Sequence, residues 1–342
     1  MTNTGKYSLF HFKKTLVRLA VIILAGLIVT DATILSYYKS KMINGTTSIY
    51  YNVNFYVMYF YYVLVAIVVP FLELRSFHNK CALDTFFSVP IRRTSLLLSH
   101  MTNGALHIAI SLLLSCFWAT VKIARIPDVI LYNMLPFFLG MLLLTLAYYS
   151  INCFAFLSAN RAGDGAMLAF LYTWVPIALY ICYDRILECL KVYNRDVKFH
   201  FSPVISMSTL SDYFDSLLSS DGNRYREPYI SFVQNLSVLV SISIGAAALL
   251  LSIWLFRRKR AEKAGGISDA WWGYPFLIPF FGFNLVMHGG SFLWGVFVGI
   301  LVFIGYVIYR RSPRLRIHEW VLLGIITLIG IMDVDFIKMI FG

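Results

Sequence analysis

Residues 82–100, ALDTFFSVPIRRTSLLLSH, hold an acid, an aromatic pair, a proline and two arginines between two apolar runs. Leu83, Phe86 and Phe87 fall on one side of a short helix over this stretch, and Asp84 and Ser88 fall on another. Pro90 stops that helix, because its ring and missing N–H do not fit a helix interior. Arg92 and Arg93 then stand at the mouth of a new helix that runs into the next apolar span. The chemistry offered is recognition. A guanidinium fork pairs with carboxylates and phosphates, and aromatics with arginines also anchor at a membrane interface. The two uses are a lipid anchor and a docking element for a partner, and the residue types alone serve both.

The remaining ionisable residues in apolar surroundings are few. Asp31 lies in the first apolar run, His107 in the third, two turns after His100, and Asp333 and Asp335 near the end of the last. No dense line of carboxylates suggests a proton or sodium path. Each is read as a hydrogen-bonding group between helices in preference to a proton relay. Cys81, Cys116, Cys153, Cys182 and Cys189 form no C-x-x-C pair, and most sit in apolar runs. They read as small core hydrophobes in preference to metal or disulfide chemistry. The chain contains no G-x-x-x-x-G-K-[ST], H-E-x-x-H or G-x-S-x-G. It is therefore expected to bind no ATP, metal or other cofactor of its own and to have no catalytic residues.

The elements that carry these residues are membrane helices. Of 342 residues 59% are hydrophobic and 13% charged, about half the charge of an ordinary soluble domain. The mean hydropathy is +0.72. Apolar runs near 16–38, 53–72, 103–121, 129–157, 166–183, 231–256, 272–289, 291–309 and 319–340 each approach the roughly 20 residues a crossing needs. The segment 272–289 holds Pro275 and Pro279 and reads as broken or re-entrant. The N-terminal GKYSLFHFKK mixes aromatics with lysines and suits a short helix on the membrane surface. It precedes an apolar run without a small-residue cleavage site, which argues for an uncleaved first span. In the loop 184–230, FSPVISMSTLSDYFDSLL has apolar residues at helical spacing and is expected to pack back onto the bundle.

With the N-terminus in the cytoplasm, the inner side receives 18 of the 29 basic residues and six of the 17 acids. The outer side receives eleven of each, so the whole formal charge of +12 lies inside, as lysine and arginine bias requires. The charge thus reports topology and gives no sign of nucleic-acid binding. The basic run FRRKRAEK, residues 256–263, is read as an anchor to anionic headgroups.

The stretch LDTFFSVPIRRTSLLLSH resembles the intracellular loop of export-type (type 2) ATP-binding cassette (ABC) transporter permeases. There a small or acidic residue, an apolar pair, Leu/Val-Pro and one or two arginines lead into the third span. The matching positions are Asp84, Phe86, Phe87, Val89, Pro90, Arg92 and Arg93. Six spans up to about residue 257, an amphipathic stretch before the first, and a short second inner loop, SANRAGDG with Asn160, Arg161 and Asp164, fit the same core. FRRKRAEKAGG followed by two or three more spans is similar to a Gram-positive bacterial subgroup. The resemblance implies an all-α bundle: a six-span core over 1–257, then a basic inner loop and additional spans over 258–342. It further implies a non-catalytic permease subunit in the cell membrane, coupled through residues 84–93 to a separate cytoplasmic ATPase that binds the ATP. A second permease subunit would complete the path. The alternatives are an ion-coupled secondary transporter, an intramembrane enzyme, and a non-transporting membrane sensor or assembly subunit.

Overall fold

The computed structural model describes residues 3–35, 38–43, 46–51, 55–88, 91–124, 134–189, 202–218, 232–259, 264–266, 268, 270–287 and 292–331. Among them seven helices are long and apolar enough to cross a membrane. The chain is an all-α polytopic bundle with one small β-hairpin. A short helix, α1 (Asn3–Lys14), precedes the first spanning helix, α2 (Leu16–Leu35). Val17, Val21, Leu24 and Ile28 of α2 are exposed at helical spacing, the stripe that a spanning helix turns toward lipid. Strands β1 (Tyr38–Ile43) and β2 (Thr46–Tyr51) follow, antiparallel, with Tyr38 opposite Tyr51 and Ile43 opposite Thr46. They occupy the connection between the first two spanning helices.

Helix α3 (Tyr56–Leu74) runs into a 3-10 turn, Arg75–His78, and then α4 (Lys80–Ser88). Helix α5 (Arg93–Ile123) has 31 residues, about 46 Å at 1.5 Å per residue, against a hydrocarbon core of about 30 Å. It begins ten residues before the apolar run that marks its span. The new helix expected at Arg92–Arg93 thus starts where Pro90 and the arginine pair place it. Glu73 belongs to α3, and residues 93–100 belong to α5. Helices α6 (Met134–Ser158), α7 (Ala162–Cys189), α8 (Pro203–Leu218) and α9 (Phe232–Arg258) complete the core. Gly245 of α9 lies against Ala147 of α6 so closely that a Cβ would overlap the Ala147 backbone. Without a hydrophobic drive between helices in lipid, such close backbone approach supplies the packing attraction. Helix α8 packs back on α6, α9 and α3, with Met207 fully buried and Ser206 Oγ 3.0 Å from Ser241 Oγ, as the helical spacing in that loop predicts.

The C-terminal helices are α10 (Tyr274–Val286), α11 (Phe292–Arg310) and α12 (Ile317–Ile331). Among the described residues of this part, only α11 is of spanning length. The 13 residues of α10 give about 20 Å, too short to cross alone, in keeping with a broken segment. Val286, Val298, Val302, Tyr306 and Ile326 give these three helices a core of their own. Leu277 joins α10 to Ala155 of α6, to Ala159 just after it, and to Leu168 and Ala169 of α7.

Candidate functional site

The residues singled out in the sequence lie on α4, at the start of α5 and in the α6–α7 connection. Helix α4 is amphipathic and barely embedded. Asn79 starts it, its side-chain oxygen accepting the Cys81 N–H at 3.1 Å, a local cap. Leu83 is its buried anchor, while Asp84, Thr85 and Ser88 are exposed. The side chains of Phe86 and Phe87, and residues Val89 and Pro90, lie outside what the structure describes. Arg92 is the extended N-cap of α5 (φ −61°, ψ 135°), and Arg93 is its first residue; both are exposed. Two cations at a helix N-terminus oppose the helix dipole, at a cost of about 0.3–1 kcal/mol each. Both side chains are therefore presented at the positive end of the α5 dipole.

Beneath α4 the 3-10 turn is wedged into the bundle. Phe77 is fully buried, its ring 4.9 Å from His100 of α5 and 5.0 Å from Phe256 of α9. His78 is 3.0 Å from the Phe156 carbonyl of α6 through Nε2. A push on α4 thus meets side chains that belong to three other helices.

Beside this wedge lies a buried polar cluster that the sequence reading did not assemble. Glu73, in the last turn of α3, is 2% exposed. Its Oε2 is 2.7 Å from His11 Nε2 of α1 and 3.5 Å from His100 Nδ1 of α5. Its Oε1 accepts from Asn103 Nδ2 at 3.1 Å and Arg18 Nη1 at 3.3 Å. Tyr7 of α1 places its hydroxyl 3.0 Å from His100 Nε2. Burial and the Glu73 charge push that phenol above its ordinary range, so it stays neutral. At the break between α1 and α2, Thr15 Oγ1 accepts from Asn103 Nδ2 at 3.0 Å and lies 3.2 Å from His107 Nε2. His100, Asn103 and His107 are three and four residues apart and so share one face of α5. His11, Glu73 and His100 bring three ligand-type atoms within 4.8 Å of one another, the one such group among the described residues.

A third arrangement closes the C-terminus of α6. Lys259, directly after α9, donates to the carbonyls of Ala159 at 2.8 Å and Leu157 at 3.3 Å, and Ser268 Oγ donates to Ser158 at 3.2 Å. These satisfy the carbonyls that a helix end leaves open. Lys259 is buried, and that burial brings its ammonium down to about 7. For Lys259 the expected headgroup anchor is thus corrected: it faces inward because α9 ends against the open end of α6. Arg258 stacks over Trp254 at 4.0 Å. In the second inner loop, the Asn160 carbonyl accepts the Gly265 N–H at 2.8 Å, and Arg161 Nε donates to the Gly265 carbonyl. Arg161 and Asp164 line a cavity of about 440 Å³ with Met167, Tyr274, Tyr309 and Arg311. They lie on the side of α7 that meets α10 and α11, apart from α4.

The isolated polar groups behave as interhelical pairs. Asp31 accepts from Trp118 Nε1 at 2.8 Å and pairs with Lys122 at 3.2 Å. His107 is held by Thr15. Cys116, Cys153 and Cys182 are buried free thiols, and Cys81 is an exposed one. Asp333, Asp335 and the side chain of Cys189 fall outside the described residues. No family model, curated protein or solved structure matches the chain.

Proposed function

We propose that the chain is the membrane-spanning permease subunit of an export-type ATP-binding cassette transporter. It sits in the cell membrane with α1, α4 and the α6–α7 connection on the cytoplasmic side. One observation carries this reading: between two spanning helices, α4 and the Arg92–Arg93 pair are presented outward on a base that is tightly packed. The arginines at the start of α5 suit an acidic protein surface, because a guanidinium fork pairs with carboxylates. In this reading a separate ATPase binds and hydrolyses ATP, and its closure bears on α4. The load passes through Phe77 and His78 to α5, α6 and α9. A 31-residue helix starting at the contact transmits it along the whole membrane depth. This chain supplies no catalytic group. A second permease subunit faces it across the path.

An ion-coupled carrier is the alternative that the buried Glu73 would serve. Yet Glu73 stands near the end of the Tyr56–His78 span and is fixed through both oxygens. That suits a structural post better than a mid-membrane ion relay. The deciding experiment pairs the purified chain with a P-loop ATPase encoded beside it. The proposal predicts a stable complex and ATP turnover that rises when the chain is present in liposomes. An ATPase that neither binds the chain nor responds to it, with solute uptake that instead follows an imposed ion gradient, overturns the proposal.

A further inference from the structure

The contact between α1 and the bundle has the composition of a metal site. We propose that His11, Glu73 and His100 bind one divalent first-row transition metal of the zinc class, fastening α1 to α3 and α5. This does not rest on the transporter reading.

The donor set is two imidazoles and a carboxylate, which suits zinc and its neighbours and not magnesium or calcium. The three atoms converge. His11 Nε2 and Glu73 Oε2 are 2.7 Å apart, Glu73 Oε2 and His100 Nδ1 3.5 Å, and all three lie within 4.8 Å. Ligands about 2.0–2.2 Å from a tetrahedral zinc stand roughly 3.3 Å from one another, and the first two separations bracket that value. Bringing His11 and His100 to the same spacing asks for a small turn of the His11 ring, which lies at the rim with 15% of its side chain exposed.

The surrounding groups orient the ligands as metal sites require. Tyr7 Oη lies 3.0 Å from His100 Nε2. When it accepts from that nitrogen's N–H, the lone pair is on Nδ1, aimed at Glu73 and His11. Asn103 and Arg18 occupy Glu73 Oε1, which turns Oε2 to the space between the two rings. The rings themselves are close, with centroids 4.1 Å apart. The Arg18 guanidinium pairs with the carboxylate at 3.3 Å when no metal is bound. Arg18 is 44% exposed at its side chain, so it can swing outward when a dication enters.

The test uses the full chain in detergent micelles, purified without a polyhistidine tag, stripped with chelator and dialysed. Co²⁺ is titrated in and its visible ligand-field absorption followed, and Zn²⁺ is then used to displace it. The expected result is one metal per chain, with the absorption of a four- or five-coordinate nitrogen–oxygen site. His11→Asn and His100→Asn lower the affinity by at least about tenfold, and so does the orienting variant Tyr7→Phe. His107→Asn, which changes a histidine of the same helix face outside the set, leaves the absorption unchanged. Because His11 lies on α1 at the rim, its replacement leaves the bundle core untouched. Absence of stoichiometric Co²⁺ in the parental chain, or equal binding by parental and His11→Asn chains, means that the cluster is an ion-pair clamp only and overturns the proposal.

Discussion

Helix α1 and the turn that leads into α4 both reach His100 of α5, yet the two short amphipathic helices are held in opposite ways. Helix α1 sends Tyr7 and His11 inward, where they meet His100 and the buried Glu73. Helix α4 buries Leu83 and leaves Asp84, Thr85 and Ser88 outside. What fixes α1 is side chains from α2, α3 and α5. What fixes α4 is its attachment to the wedged turn Arg75–His78. The contrast separates scaffold from presented surface. A helix tied by buried charge resists change of its inward residues, and a helix whose described polar residues face outward presents them to what touches it.

The sharpest way to break this contrast is at Glu73. Glu73→Ala removes the carboxylate on which His11, Arg18, His100 and Asn103 converge and leaves those groups without it in a buried site. Loss of one partner of a buried charged set costs about 3–5 kcal/mol, expected as a large drop in the thermal midpoint of the chain in micelles. A midpoint equal to that of the parental chain would remove α1 from the scaffold. Lys259→Met comes next. It opens the carbonyls of Leu157 and Ala159, each left unpaired at about 1–3 kcal/mol. Lys259 also sets a pH dependence. Its folded value of about 7 lies below the ordinary 10.5, so the folded chain holds fewer protons there than the unfolded chain. Stability is therefore expected to rise with pH between about 7 and 10.5, and Lys259→Met to flatten that rise. A slope unchanged in the variant assigns it elsewhere. The smallest effect belongs to α4: Asp84→Ala is expected to shift stability by no more than about 0.5 kcal/mol, and a loss comparable to that of Glu73→Ala would erase the difference between the two helices.

The spans were legible because lipid demands long apolar runs, and α8 because its apolar residues recur at helical spacing. The start of α5 at Arg93 follows from a proline and a polar pair just before a leucine run. Other features were hidden for identifiable reasons. Glu73 ends an apolar run, and hydropathy does not say whether a terminal acid turns to water or inward. Its partner His11 is 62 positions away, so only the packed helices bring them together. Residues 93–102 hold two Ser, two Thr, a His and an Arg and look unlike a span, but a helix that rises beyond the hydrocarbon needs no lipid-matched sequence. Lys259 lies in a run of basic residues whose members look alike, and the end of α6 selects the one that turns in. The hairpin has a local signal too, since Asn44-Gly45 between β-branched and aromatic residues is a strong hairpin pattern.

The central claim, that α4 and the start of α5 form a docking surface for a partner ATPase, is tested most directly by the double substitution Arg92→Lys, Arg93→Lys. Lysine keeps the charge, which suffices for an anionic headgroup, but loses the planar fork that pairs with a protein carboxylate. The parental chain and the variant are expressed at equal levels and purified with the ATPase. The account predicts an unchanged thermal midpoint together with weaker association, by about 2–5 kcal/mol if the pair is buried in the complex, and loss of coupled ATP turnover. Parental binding and turnover in the double variant would contradict it and leave the two arginines as lipid anchors.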